Sequence, residues 1–252
     1  MTDNTIEHWL KPPGILHLHD EEIHLWRGDL DQPPDSVSRF SKILSPKELA
    51  QAGRKRDILQ RNRYICSRGM LRLILEPYLH IPAAEINMDY GPWGKPFLTG
   101  LQGGPAIHFN LAHTGPDILL AFSLYHPIGV DIEYAGRSTA FHRLSRRFFS
   151  ERENAVLQPL TNGDLRHAFY IIWTGKEAYV KALGRGLTLV LDGFDVSGLI
   201  RSDQAWPPVY NDRTEPTGYY VHSFLMENHI RCALCISSGM PLLRYYATEF
   251  TI

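Results

Sequence analysis

The sequence predicts an α+β fold made of two lobes in one chain, residues 1–125 and 126–252. Three observations carry that expectation. Each half runs helices first and antiparallel strands after, and the strands alternate apolar and polar residues between turn signals. The stretch HAFYIIWTGKEAYVKALGRGL, from His167 to Leu187, is an apolar helix that sets a carboxylate between two lysines. At 252 residues the chain can bury one large core or two modest ones.

In order, Gly14–Trp26 reads as an opening strand or hairpin, with Leu16 and Leu18 on one face and His17 and His19 on the other. The histidines, His24 included, are expected as a solvated strand face rather than a metal cluster. A polar connection through Pro33 and Pro34 follows. Ser45-Pro46-Lys47-Glu48 is a capping box with proline at the first helical position, so a helix starts there and runs, with a break near Asp57, to about Leu79. Arg54, Lys55, Arg56, Arg61, Arg63, Arg68 and Arg72 stud it. Such a face is either solvated or turned to a phosphate-rich ligand.

Gly91, Pro92 and Gly94 mark a turn between strand-like flanks, with Lys95 at its exit. This is not a nucleotide P-loop, because the G-x-x-x-x-G-K-[ST] pattern is absent and Pro96 forbids a helix through it. Strands are expected at about residues 107–111, 118–124 and 128–133. In the last of these, alternation turns Ile128, Val130 and Ile132 to the core and Gly129, Asp131 and Glu133 to the opposite face, where two carboxylates can share a cation.

Helix resumes over residues 139–148, and Ser150–Glu153 forms a second capping box with Pro159 ending that helix. In the central helix Asp164 is the expected cap and Gly184 the left-handed terminator. Phe169, Ile172, Val180 and Leu183 make one apolar stripe, and Ala168, Ile171, Ala178 and Ala182 a second, so burial should confine the charges to a cleft. Glu177 and Lys181 are one turn apart and share a face, bordered by Trp173 and Lys176. Strands return at LTLVL, at TGYYVHSFLM and HIRCALCISS as a hairpin about Glu227 and Asn228, and at LLRYYATEF.

Composition excludes several classes. A net charge of −1 offers no global field for nucleic acid or a membrane surface. No apolar run approaches the roughly 20 residues that span a bilayer, and Met1–Leu10 lacks the basic start and apolar core of a secretory signal. The three cysteines leave one unpaired in any disulfide scheme, which suits a reducing compartment, and the C-x-x-C of Cys232 and Cys235 lies in an apolar strand. A cytoplasmic location is expected.

Asp131, Glu133 and Glu177 bring three carboxylates from a strand and a helix, and Arg63, Lys95, Lys176 and Lys181 can surround them. Magnesium prefers oxygen ligands, one or two carboxylates together with phosphate oxygens, so a magnesium–diphosphate site follows. The lysines hold the remaining anionic oxygens, and a carboxylate beside an incoming hydroxyl can take its proton.

The order Gly94-Lys95-Pro96, then F-N-x-x-H at Phe109–His113, G-x-D-x-E at Gly129–Glu133 and W-T-x-K-E-A-x-x-K at Trp173–Lys181 followed by G-x-G-L resembles the 4′-phosphopantetheinyl transferases of the larger, Sfp-like type. The matches run from about Ser45 to Leu191. The resemblance implies a magnesium-dependent transferase that moves the phosphopantetheine arm of coenzyme A to a serine of an apo acyl or peptidyl carrier protein and releases adenosine 3′,5′-bisphosphate. It also implies two pseudo-symmetric lobes with coenzyme A between them. Asp131, Glu133 and Glu177 match the family's metal ligands, and Glu177 its candidate base. Lys176 and Lys181 match residues near the diphosphate, His113 and Arg63 residues near the 3′-phosphate, and Lys95 lies in the turn bordering the adenine.

Two departures stand out. Ala112 precedes the histidine where many members carry Ser or Thr, and Glu48 and Gln51 fall where basic residues are often found, with Arg54 or Arg56 as substitutes. Two rival functions fit part of the pattern: a metal-dependent phosphodiesterase, and a catalytically silent module that binds coenzyme A or a carrier protein. Two lobes in one chain make a monomer sufficient, and neither nucleic acid nor a membrane is an expected partner.

Overall fold

The structure, a computed structural model, describes residues 5–100, 106–136, 140–186 and 189–248. Its strands are β1 (Thr5–Ile6), β2 (Glu22–Asp29), β3 (Met88–Tyr90), β4 (Pro96–Leu98), β5 (Ile107–Thr114), β6 (Asp117–Leu124), β7 (Ile128–Tyr134), β8 (Phe194–Asp195), β9 (Pro208–Asn211), β10 (Pro216–Met226), β11 (Ile230–Ile236) and β12 (Leu242–Ala247). Its helices are α1 (Pro34–Lys42), α2 (Pro46–Gly53), α3 (Ile58–Leu79), α4 (Phe141–Phe148), α5 (Glu151–Leu157), α6 (Asn162–Leu183) and the single turn α7 (Gly198–Arg201).

The strands form two main sheets. One has the order β12-β2-β6-β5, the other β7-β11-β10-β9-β8 with β1 also on β10, while β3 and β4 make a separate hairpin. All pairings are antiparallel except β12 with β2 and β1 with β10. The chain ends therefore cross over, β1 joining the second sheet and β12 the first.

Both sheets are apolar on both faces, because each is covered twice. On β6, Leu120 and Phe122 pack with α3 residues such as Met70 and Leu71, while Leu119 and Ala121 face the other way. There they meet Ile128, Val130 and Ile132 of β7 and Cys232 and Leu234 of β11. The opposite face of the second sheet packs on α6 through Ala168, Ile172, Ala178 and Ala182. The layers thus run helix, sheet, sheet, helix, and the alternation read in β7 is the one observed.

Helix signals held where they were local. Ser45 and Ser150 both close reciprocal capping boxes, with Glu48 and Glu153. Asp57 caps α3 through Gln60, and Gly184 ends α6 at φ 65°. Glu48 also shares a buried ion pair with Arg72, whose guanidinium donates to the carbonyls of Ala83 and Ile86. An acid at this position is thereby a partner for α3 and not a gap in the basic face.

Other expectations change. Residues 14–21 are not a strand, and Leu16 reaches the first core from a loop. His17 and His19 are exposed, but His24 is buried, with Nδ1 2.7 Å from the Tyr78 hydroxyl. The connection after Pro33 is helix α1, whose Val37 and Phe40 lie one turn apart and pack on the first core. Thr161, not Asp164, occupies the cap of α6. Of the strand expected at 187–191, residues 187–188 lie outside the described residues, and Leu191–Gly193 is a 3-10 turn before β8. Thr139 and Leu187 are likewise outside the described residues. All three cysteines are buried and free.

Candidate active site

The site begins where β7 crosses α6. A side chain at Gly129 would collide with the carbonyl of Ala178 and the amide nitrogen of Ala182, so only glycine lets the strand lie directly on the helix backbone. The next residue on that face is Asp131, 6% exposed, and the Lys181 ammonium donates to its Oδ1 at 2.6 Å. Its Oδ2 is buried without a hydrogen-bond partner among the described residues. Burial pushes the Asp131 carboxyl above the usual range, against the opposing pull of Lys181. Glu177 is raised as well, first by burial and then by the charge of Asp131. The two acids from separate elements are therefore neighbours. Glu133 follows two residues on, half-buried and opposite Arg231 in the strand register.

Beside this pair opens a cavity of ≈ 410 Å³, walled by Arg68, Trp93–Pro96, Asn110–His113, Glu177, Val180, Lys181, Gly184 and Gly186. A larger one of ≈ 960 Å³ lies elsewhere, between α4 and α5 and the β8 edge. In the motif F-N-x-x-H, Phe109 packs in the first core while Asn110 ties the sheets together, its Oδ1 accepting the edge N–H of Val130 at 2.8 Å. His113 is open to solvent at the edge of the cavity wall, while the protein packed around the rest of its ring lowers its pKa, followed by the charges of Lys181, Arg68, Arg63 and Lys55. Of these, Arg68 and Lys181 line the cavity, and Lys181 is also the partner of Asp131.

Arg68 was read only as one of many helix charges, yet it lines the cavity. Its guanidinium lies 5.2 Å from the Tyr64 ring centre and 5.7 Å from that of Tyr90, and its Nε and Nη1 are buried without hydrogen-bond partners among the described residues. The two ring contacts hold the cation in place and leave those donors without a partner. Its spacing from Tyr64, one helical turn, was the available signal.

The remaining expected residues are placed otherwise. Lys176 faces away from the cavity and is 1% exposed, donating to both oxygens of Glu153 at 2.6 and 2.8 Å and to the Phe194 carbonyl at 2.8 Å. As neighbours on a helix, Lys176 and Glu177 point about 100° apart, so only one of them can face the cleft. Arg63 makes a two-point pair with Asp31 at 2.7 Å and reaches the site as a charge near His113. The Lys95 ammonium donates to the carbonyls of Ile128, Lys181 and Ala182 at 2.9, 2.7 and 3.1 Å.

Among the described residues no three His, Cys, Asp or Glu side chains are drawn together as a finished metal cluster. The open Oδ2 of Asp131, with Glu177 beside it and Glu133 on the same strand face, is still an all-oxygen donor set that fits a hard divalent cation.

Comparison with known proteins bears on the same elements. A family model described as the 4′-phosphopantetheinyl transferase superfamily matches residues 127–235, which include β7 and α6. The 4′-phosphopantetheinyl transferase HetI of Nostoc sp. is 37% identical over 179 residues, 71% of this chain and 76% of its own. The 4′-phosphopantetheinyl transferase Sfp of Bacillus subtilis is 28% identical over 169 residues, 66% of this chain and 73% of its own. A looser likeness links 44% of this chain to 61% of the solved holo-[acyl-carrier-protein] synthase of Thermotoga maritima, at 19% identity and TM-score 0.34. With 37% identity to HetI over an alignment that spans 71% of this chain and 76% of HetI, this protein belongs to the 4′-phosphopantetheinyl transferase family and is a transferase.

Proposed function

We propose that the chain transfers the 4′-phosphopantetheine of coenzyme A to a serine hydroxyl of an apo acyl or peptidyl carrier protein, with magnesium, releasing adenosine 3′,5′-bisphosphate. One observation carries the reading: the same cavity is lined by Glu177 and by Lys181, which holds the buried Asp131, and by Arg68 with unpartnered donors beside His113. A ligand with a diphosphate and a separate terminal phosphate suits that lining.

In this reading Asp131, Glu133 and Glu177 hold the metal, which when bound supplies positive charge to the diphosphate oxygens. Lys181 leaves Asp131 for a phosphate oxygen and neutralises the leaving group. Arg68, His113 and Arg63 hold the 3′-phosphate. Glu177, with its raised pKa, takes the proton of the carrier serine. The serine oxygen then forms a bond to the phosphorus bearing pantetheine, and the bond from that phosphorus to the bridging oxygen breaks. Lys176 is assigned no contact with substrate.

The division into lobes 1–125 and 126–252 belongs to the same proposal, supported by separate cores around α3 and α6, although β1 and β12 each pair in the other lobe's sheet. So do action as a monomer and in the cytoplasm, the latter supported by three free cysteines. No described helix is long and apolar enough to cross a membrane.

The test is incubation with coenzyme A, magnesium and an apo carrier, read by mass spectrometry. Transfer appears as a carrier heavier by one phosphopantetheine. Cleaved coenzyme A with an unchanged carrier would instead mark a phosphodiesterase, and intact coenzyme A with an unchanged carrier a binding module.

A further inference from the structure

Lys95 sits in the hairpin β3–β4, whose strands pair only with each other over three residues each. A two-stranded hairpin of that length has little stability of its own. It is nevertheless the wall of the cavity that faces α6, with Trp93 against Gly186 and the Lys95 stem against Gly184. The Lys95 ammonium has three N–H groups, and three carbonyls accept them: Ile128 at the start of β7, and Lys181 and Ala182 in the last turn of α6. Carbonyls at a helix C-terminus carry partial negative charge, so a cation there is held well even though the Lys181 carbonyl also accepts the Gly184 amide at 3.2 Å. With every donor used, no N–H remains for a phosphate or a base.

Resting on the transfer reading above, we propose that Lys95 is a positioning residue: it rivets the β3–β4 hairpin to the end of α6 and the start of β7. By doing so it fixes Lys181 and Glu177 relative to the opposite wall of the cavity. Its removal should loosen both pieces together, although they lie far apart in sequence. Burial draws its pKa down to about 8, which still leaves the ammonium predominant at neutral pH.

Lys95→Met keeps the apolar stem and deletes the donors. Amide hydrogen exchange in residues 88–98 and 180–184 should rise by about tenfold or more, with β2 and β6 unchanged. In the transfer assay kcat should fall by about tenfold while KM for coenzyme A moves less than about threefold. Unchanged exchange, or a raised KM with kcat intact, would overturn the proposal, the second by showing a direct hold on the nucleotide. If the variant does not fold, amine labelling of the unmodified protein decides. Lys95 should react far more slowly than the exposed Lys42 and Lys47, and equal rates would refute the rivet. Absence of transfer by the unmodified protein would sink the functional reading alone, since exchange and labelling do not depend on it.

Discussion

Lys176 and Lys181 stand five residues apart on α6, and each meets a carboxylate, but the two ion pairs are built differently. Under the helix, Lys176 and Glu153 are sealed, at 1% and 0% side-chain exposure. There the carboxylate also accepts from the amides of Ser150 and Val196, so both groups are fully partnered. On the cleft side, Lys181 is 29% exposed and Asp131 keeps a buried oxygen without a partner among the described residues. A satisfied buried pair joins α5, α6 and β8 into one body. An unsatisfied one beside a cavity holds charge in reserve for a ligand, at a cost in stability.

The contrast can be broken most sharply at the acids. Asp131→Ala and Glu177→Ala should each lower transfer by on the order of a thousandfold while leaving the fold intact, because they remove cleft groups and not packing. Initial rates with circular dichroism check both halves of that statement, and near-normal turnover in either variant would remove the acids from the chemistry. At the sealed pair the expected loss is in stability. Lys176→Met leaves Glu153 buried without a counter-ion, at about 3–5 kcal/mol, and Lys176→Met with Glu153→Leu should recover much of it. Denaturant unfolding of the single and double variants measures the difference.

Smaller effects sharpen the same boundary. Lys181→Ala should raise KM for coenzyme A by about tenfold, equivalent to one charge-assisted contact, and lower the unfolding midpoint as well, because the buried Asp131 loses its counter-ion. Smallest is the effect of Glu177→Gln on stability, and its sign is opposite to that at Lys176. The folded carboxyl is raised above its ordinary value, so ionising it costs folding free energy at neutral pH. The amide should therefore stabilise the fold at pH 7, and the gain should vanish as pH falls below the unfolded carboxylate range near 4.5. A thermal melt series across that window decides it.

Much of this was legible from local chemistry. Both capping boxes, the break at Asp57, the turn around Gly94 and the faces of β7 depend on residues within one or two turns of each other. Helix α1 was missed because two prolines masked its apolar pair, Val37 and Phe40, and the strand at residues 14–21 failed because alternation without a neighbouring strand has nothing to pair with. At the site, the pairing of Asp131 with α6 was legible from the motifs. The roles of Lys176, Lys95 and Arg68 were not, since each depends on what lies across from it.

By itself the sequence determined the capped helices, the face that β7 turns inward and the family, because these follow from side-chain period, capping chemistry and motif order. Only the tertiary structure decided which of three nearby lysines has an ammonium that a ligand can reach. Glu153 and the Phe194 carbonyl claim Lys176, three carbonyls claim Lys95, and Lys181 alone of the three reaches the cavity with an exchangeable partner. The physical reason is that a buried charge takes its role from its partners, and partners from distant elements meet only once the chain is folded.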